Sequence, residues 1–115
     1  MTSFEKQLKA AIDCWELGDI QDEWMFAKLQ DDVIGLLEPS EAFEKIPYVL
    51  ALVENHKEDA ATAIIETLLA LARQSQTTEI PEGLEARRQH LSDQFALYGE
   101  YAKAKPGELF RYYRI

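Results

Sequence analysis

The chain has 115 residues, 47% of them hydrophobic and 29% charged, which fits one folded domain with one core, so disorder is not the default. Its net charge of −9 lies wholly in residues 1–60, where 14 Asp/Glu face 5 Lys/Arg, while residues 61–115 balance 7 against 7; direct binding of nucleic acid by the acidic half is disfavoured. A single cysteine, Cys14, excludes an internal disulfide and fits a reducing, cytoplasmic compartment, and no apolar run approaches the ~20 residues that cross a bilayer.

The first predicted helix runs from about Ser3 to Leu17. Thr2 and Glu5 have capping-box spacing, and Phe4, Leu8, Ala11, Ile12 and Trp15 recur at helical intervals. The opening "MTSFEKQLKA" has no signal-peptide apolar block. Gly18 suits the left-handed position that closes a helix, and Asp19 suits the N-cap of the next. The stretch "WELGDIQDEW" then reads as a helix end, a tight corner and a helix start, with Asp22 and Glu23 in a first turn where carboxylates complement the helix dipole.

The second helix is expected to continue to about Leu37, with Met25, Leu29, Val33 and Leu36 as its core stripe and Gly35 at a close helix contact. Pro39 stops it, and Ser40 with two following glutamates restarts a short helix. Ile46-Pro47 reads as another break, with Pro47 opening "PYVLALVE". "NHKED" is a second corner. From Ala60 to Ala72, "AATAIIETLLALA" holds only one charge, so this helix should be central and buried. "SQTTEIPEG" is the longest polar connection, followed by a long helix from about Glu82 to Lys103. After Pro106-Gly107 the tail "KPGELFRYYRI" reads as irregular or extended.

A shift of 39 residues lays Met25 on Ile64, Phe26 on Ile65, Leu29 on Leu68 and Val33 on Ala72. Two helical hairpins at that period would stack like HEAT repeats, although two amphipathic helices can echo by chance. The expected fold is therefore all-α, with about five helices in stacked antiparallel hairpins or an irregular bundle. It divides into a helical domain over 1–104 and an aromatic, basic tail over 105–115.

The chemistry-bearing residues point away from catalysis. His56 and His90 have no His or Cys at i+3 or i+4, so no zinc site is expected. Asp19, Asp22, Glu23, Asp31 and Asp32 invite comparison with magnesium-dependent all-α nucleotide hydrolases. Those repeat an E-x-x-E/D pattern, however, and here Pro39 interrupts Glu38, Glu41 and Glu44. No Ser-His-Asp set or glycine-rich phosphate loop is present, and Cys14 lies among apolar neighbours as a structural thiol does. No catalytic residue, metal or cofactor is expected.

Partner binding is the remaining class. Asp22, Glu23, Asp31, Asp32, Glu58 and Asp59 are the acidic candidates, either a solvated face or a surface that steers toward a basic partner. Phe110, Arg111, Tyr112 and Tyr113 are residue types that dominate interface hot spots, or else a tail that folds back over the core.

The stretches "WELGDIQDEW", "ENHKED" with the helix after it, and "SQTTEIPEGL" together resemble small acidic immunity proteins of bacterial toxin systems, several families of which are short HEAT-like helical domains. The resemblance implies a cytoplasmic inhibitor that occludes a toxin, commonly a basic nuclease. The alternatives are a helical scaffold or adaptor and, behind it, the magnesium-dependent hydrolase. A protein partner is expected, with no direct nucleic-acid or membrane contact.

Overall fold

The structure is a computed structural model that describes residues 3–16, 28–56 and 58–115, apart from the side chains of residues 3 and 14–16. The described residues form helices joined by turns and short connections, with no strand, as the periodicity requires. They fall into two compact units, Met1–Leu37 and Glu38–Ile115. Residues 105–115, read from the sequence as a separate tail, belong to the second unit.

In the first unit, helix α1 (Ser3–Glu16) buries Phe4, Leu8, Ala11 and Ile12, the face that its spacing selected. The described part of the next helix departs from α geometry. Leu29–Val33 forms a π-helical turn in which the Ile34 N–H donates to the Leu29 carbonyl, and Ile34–Leu36 then tightens to a 3-10 turn. This corrects the expected stripe. An i→i+5 turn brings Leu29 and Ile34 to the same side, so both are buried, while Val33 is half-buried and Leu36 is 84% exposed. Among the described residues, a Cβ at Gly35 would meet no atom within 4 Å, so the expected close helix contact is not seen there. Met25, Phe26 and the Gly18-Asp19 corner lie outside the described residues.

The second unit opens on helix α2 (Pro39–Val53), a single helix with Pro47 inside it. Two expectations are corrected here. The helix starts at Glu38, whose N–H donates to the Glu41 carboxylate at 3.2 Å, with Pro39 at the first position where no N–H is needed. Pro47 does not break it, because Ala42, Ile46, Val49, Leu50 and Val53 form one continuous buried stripe on both sides of the proline. A fully buried valine, leucine or isoleucine stabilises by ~1.5–3 kcal/mol, so the stripe outweighs the ~3 kcal/mol that an interior proline costs.

Turns at residues 54–56 follow α2 before α3 (Glu58–Ser75), and α2 and α3 pack along their lengths as an antiparallel hairpin. Helix α3 is central, as its composition implied: Ala61, Ile64, Ile65, Leu68, Leu71 and Ala72 are all fully buried. Its one buried hydroxyl in the interior, on Thr67, donates to the Ala63 carbonyl at 3.0 Å. Gln76, in the left-handed region at φ 56°, ends the helix, and residues 77–83 form the polar connection. Gly83 closes that connection at φ 87°, a conformation that disfavours any side chain.

The long helix expected over 82–103 is two helices. Helix α4 (Leu84–Phe95) buries only Leu84, Leu91 and Phe95, and the chain turns at 96–99 before the short α5 (Glu100–Lys103). The extended backbone of Gly99 separates them, and its N–H donates to the Glu58 carboxylate at 3.2 Å. Gln94, half-buried on α4, donates from Nε2 to the Val53 and His56 carbonyls at 3.0 and 3.3 Å. It thereby ties α4 to the end of α2.

The tail is also helical, against expectation: α6 spans Lys105–Tyr113. Pro106 lies in the first turn, where its missing N–H costs nothing. Pro106, Leu109, Phe110 and Tyr113 recur at i, i+3, i+4 and i+7 and are all buried, in a helix that packs against α3 and α4.

Two buried side-chain atoms are left without a partner among the described residues, Gln94 Oε1 and the Tyr113 hydroxyl. The Tyr113 hydroxyl is buried and makes no hydrogen bond, and burial, with the neighbouring Tyr112, raises its pKa above the usual tyrosine value. Tyr113→Phe should therefore stabilise the protein by about 1 kcal/mol at neutral pH, since a buried unsatisfied group is removed and the ring is kept. A group whose folded pKa is raised keeps its contribution below the unfolded value, about 10, and loses it as pH climbs further. The wild type should accordingly lose stability above pH 10 faster than the variant, as urea unfolding at pH 7 and pH 11 would measure. A variant less stable than wild type at pH 7 would mean that the hydroxyl has a partner.

Candidate protein-binding surface

Helix α2 turns its polar side outward. Opposite the buried stripe, Glu41, Glu44 and Tyr48 are exposed at i, i+3 and i+7, and Asn55 continues the line past the helix end. Tyr48 is 37% exposed, one turn beyond Glu44 and two beyond Glu41, on a helix whose other face is buried in the core. The Glu41 carboxylate is already engaged at the helix start, whereas no such capping role falls to Glu44. An aromatic ring among carboxylates can take a cationic group by both ring and charge.

The residues singled out from the sequence are distributed as follows. Asp22 and Glu23 lie outside the described residues. Asp31 and Asp32 are exposed on the π turn of the first unit, and Glu58 and Asp59 are exposed on the first turn of α3 in the second. Glu58 has a structural task, because its carboxylate holds the Gly99 N–H.

The aromatic tail divides by face. Phe110 and Tyr113 are buried, as in the alternative of a tail that folds back over the core. Tyr112 is half-buried, and its hydroxyl donates between the Ala72 and Thr77 carbonyls at 2.8 and 3.1 Å, which ties α6 to the end of α3. Of the four, Arg111 alone is exposed.

Tyr48 and Glu44 carry the face that the sequence reading missed. Their signal, the 41-44-48 spacing, was present and was cut by reading Pro47 as a break. Among the described residues no group of three or more His, Cys, Asp or Glu is placed to hold a metal ion, and no helix is long and apolar enough to cross a membrane. Compared with known protein families, curated proteins and solved structures, the chain matches none.

Proposed function

We propose that the chain is a non-catalytic protein-binding domain of the immunity type, acting in the cytoplasm by occluding a basic bacterial toxin. The observation that supports this most is the outward face of α2, which offers Glu44 and Tyr48 from a rigid helix. Little entropy is lost in ordering such a face on binding. The excess of carboxylates over residues 1–60 adds long-range attraction for a cationic surface and speeds encounter at low salt.

The test is association with the protein encoded beside this one, the place of a toxin gene relative to its immunity gene. Glu44→Lys with Tyr48→Ala should slow association roughly tenfold at low ionic strength and abolish protection in co-expression. The difference should narrow as salt shortens the screening length below about 10 Å. Glu41 is left intact because its carboxylate accepts the Glu38 N–H. Equal association rates and equal salt slopes for variant and wild type would remove α2 from the interface. A neighbouring product that neither harms cells nor binds would remove the immunity reading itself.

A further inference from the structure

A second surface, opposite in sign, lies in the same unit. Helices α3 and α6 border an open groove of about 300 Å³ lined by Leu69, Arg73, Glu108, Arg111 and Tyr112. Arg73 and Arg111 come one from each helix, and both side chains are exposed. The acid in the lining, Glu108, is engaged by Lys105 at 3.3 Å and is not spent on either guanidinium. The chain has 21 acidic residues against 12 basic ones, yet these two arginines converge on a groove that contains no carboxylate paired to them.

The floor is of another kind. Leu69 is 5% exposed, and the Tyr112 ring is fixed because its hydroxyl is held by the Ala72 and Thr77 carbonyls. The groove therefore offers apolar surface below and two planar, five-donor cations at the rim. Each arginine also lies in the last turn of its helix, where a cation complements the dipole. That effect acts on each helix separately and does not account for their meeting at one groove.

We propose that this groove binds an acidic peptide segment, its carboxylates on Arg73 and Arg111 and an apolar side chain between them against Leu69 and Tyr112. Guanidinium groups take carboxylates through paired, charge-assisted hydrogen bonds, and the apolar floor selects for a leucine-like residue flanked by acids. This is a separate face from the outer side of α2, so the domain has one site for a cationic partner and one for an anionic segment.

The probe is a fluorescein-labelled Glu-Glu-Leu-Glu-Glu peptide, followed by fluorescence anisotropy with the full chain. Binding should weaken with salt, and Arg73→Gln with Arg111→Gln should reduce affinity roughly tenfold or more, since both charge-assisted contacts to the peptide carboxylates are lost. Arg88→Gln with Lys103→Gln removes the same charge from exposed positions outside the groove and should change affinity by less than about twofold. A Glu-Glu-Ser-Glu-Glu peptide should bind more weakly than the leucine form, which separates the groove from charge alone. All variants alter exposed side chains, and their thermal melting should match the wild type. Equal losses for the two double variants, equal affinity for the two peptides, or no binding of the leucine peptide by the wild type would each overturn the proposal. Competition by inorganic phosphate at the same concentration as the peptide would assign the rim to a free anion and overturn it likewise.

Discussion

Ending the chain after Ala104 should unfold the second unit at temperatures where the full chain is folded. Helix α6 buries Leu109, Phe110 and Tyr113 along with Pro106, and it packs against α3 and α4. At ~1.5–3 kcal/mol for each of these three large side chains, its removal forfeits about 4.5–9 kcal/mol. Small domains have a total margin of ~5–15 kcal/mol, so the loss takes most of it. The Tyr112 hydroxyl goes too, and the Ala72 and Thr77 carbonyls lose a donor. Leu109→Ala is the milder form of the same experiment, expected to cost ~2–5 kcal/mol. Circular dichroism melting of the 1–104 chain and of Leu109→Ala would decide it. A truncated chain that melts within a few degrees of the full one would return the segment to the status of a dispensable tail.

The opposite sign is expected at Pro47. Within α2 this residue has no N–H to give the Phe43 carbonyl, and its ring crowds the preceding turn. Alanine restores the bond and is the better helix former by ~3 kcal/mol in an exposed helix interior. Two terms subtract from that. The freer unfolded chain takes back ~0.4–1 kcal/mol, and the ring's own contacts are lost because Pro47 is half-buried. Pro47→Ala should therefore stabilise the second unit by about 1–2 kcal/mol net, or roughly 4–8 °C of melting temperature per kcal/mol in a unit of this size. A fall in stability would show that the ring fills a space, or holds a bend, that α2 needs.

These two residues also show where sequence reading succeeded and where it stopped. The helical class followed from periodicity, and the central position of α3 followed from a run with a single charge, because burial on all sides leaves no room for a polar face. The α1 stripe followed from the helical spacing of its apolar residues. Pro47 and Pro106 misled because a proline records only a local cost, while the buried stripe of α2 and the first-turn position in α6 decide whether that cost matters. Leu36 misled because the 3.6-residue period was carried through a turn that widens to i+5 and then tightens. In the candidate surface, residue type pointed to the aromatic tail, but type does not say which side of a helix faces inward. Only once residues 105–113 are seen as a helix does the i, i+3, i+4, i+7 set fall to the core and leave Arg111 outside. Glu44 and Tyr48 needed the uninterrupted α2 before their spacing meant anything.

Gln94 has a consequence for the order in which the second unit assembles. The carbonyls it grips, those of Val53 and His56, become a fixed pair of acceptors only when α2 has formed and ended, and they lie 41 and 38 residues upstream. The α2–α3 hairpin closes through a corner of a few residues, and its loop entropy is small. The Gln94 clamp closes a far longer loop against that finished end, so its bonds form late on the folding path, after the hairpin has made the place where α4 docks.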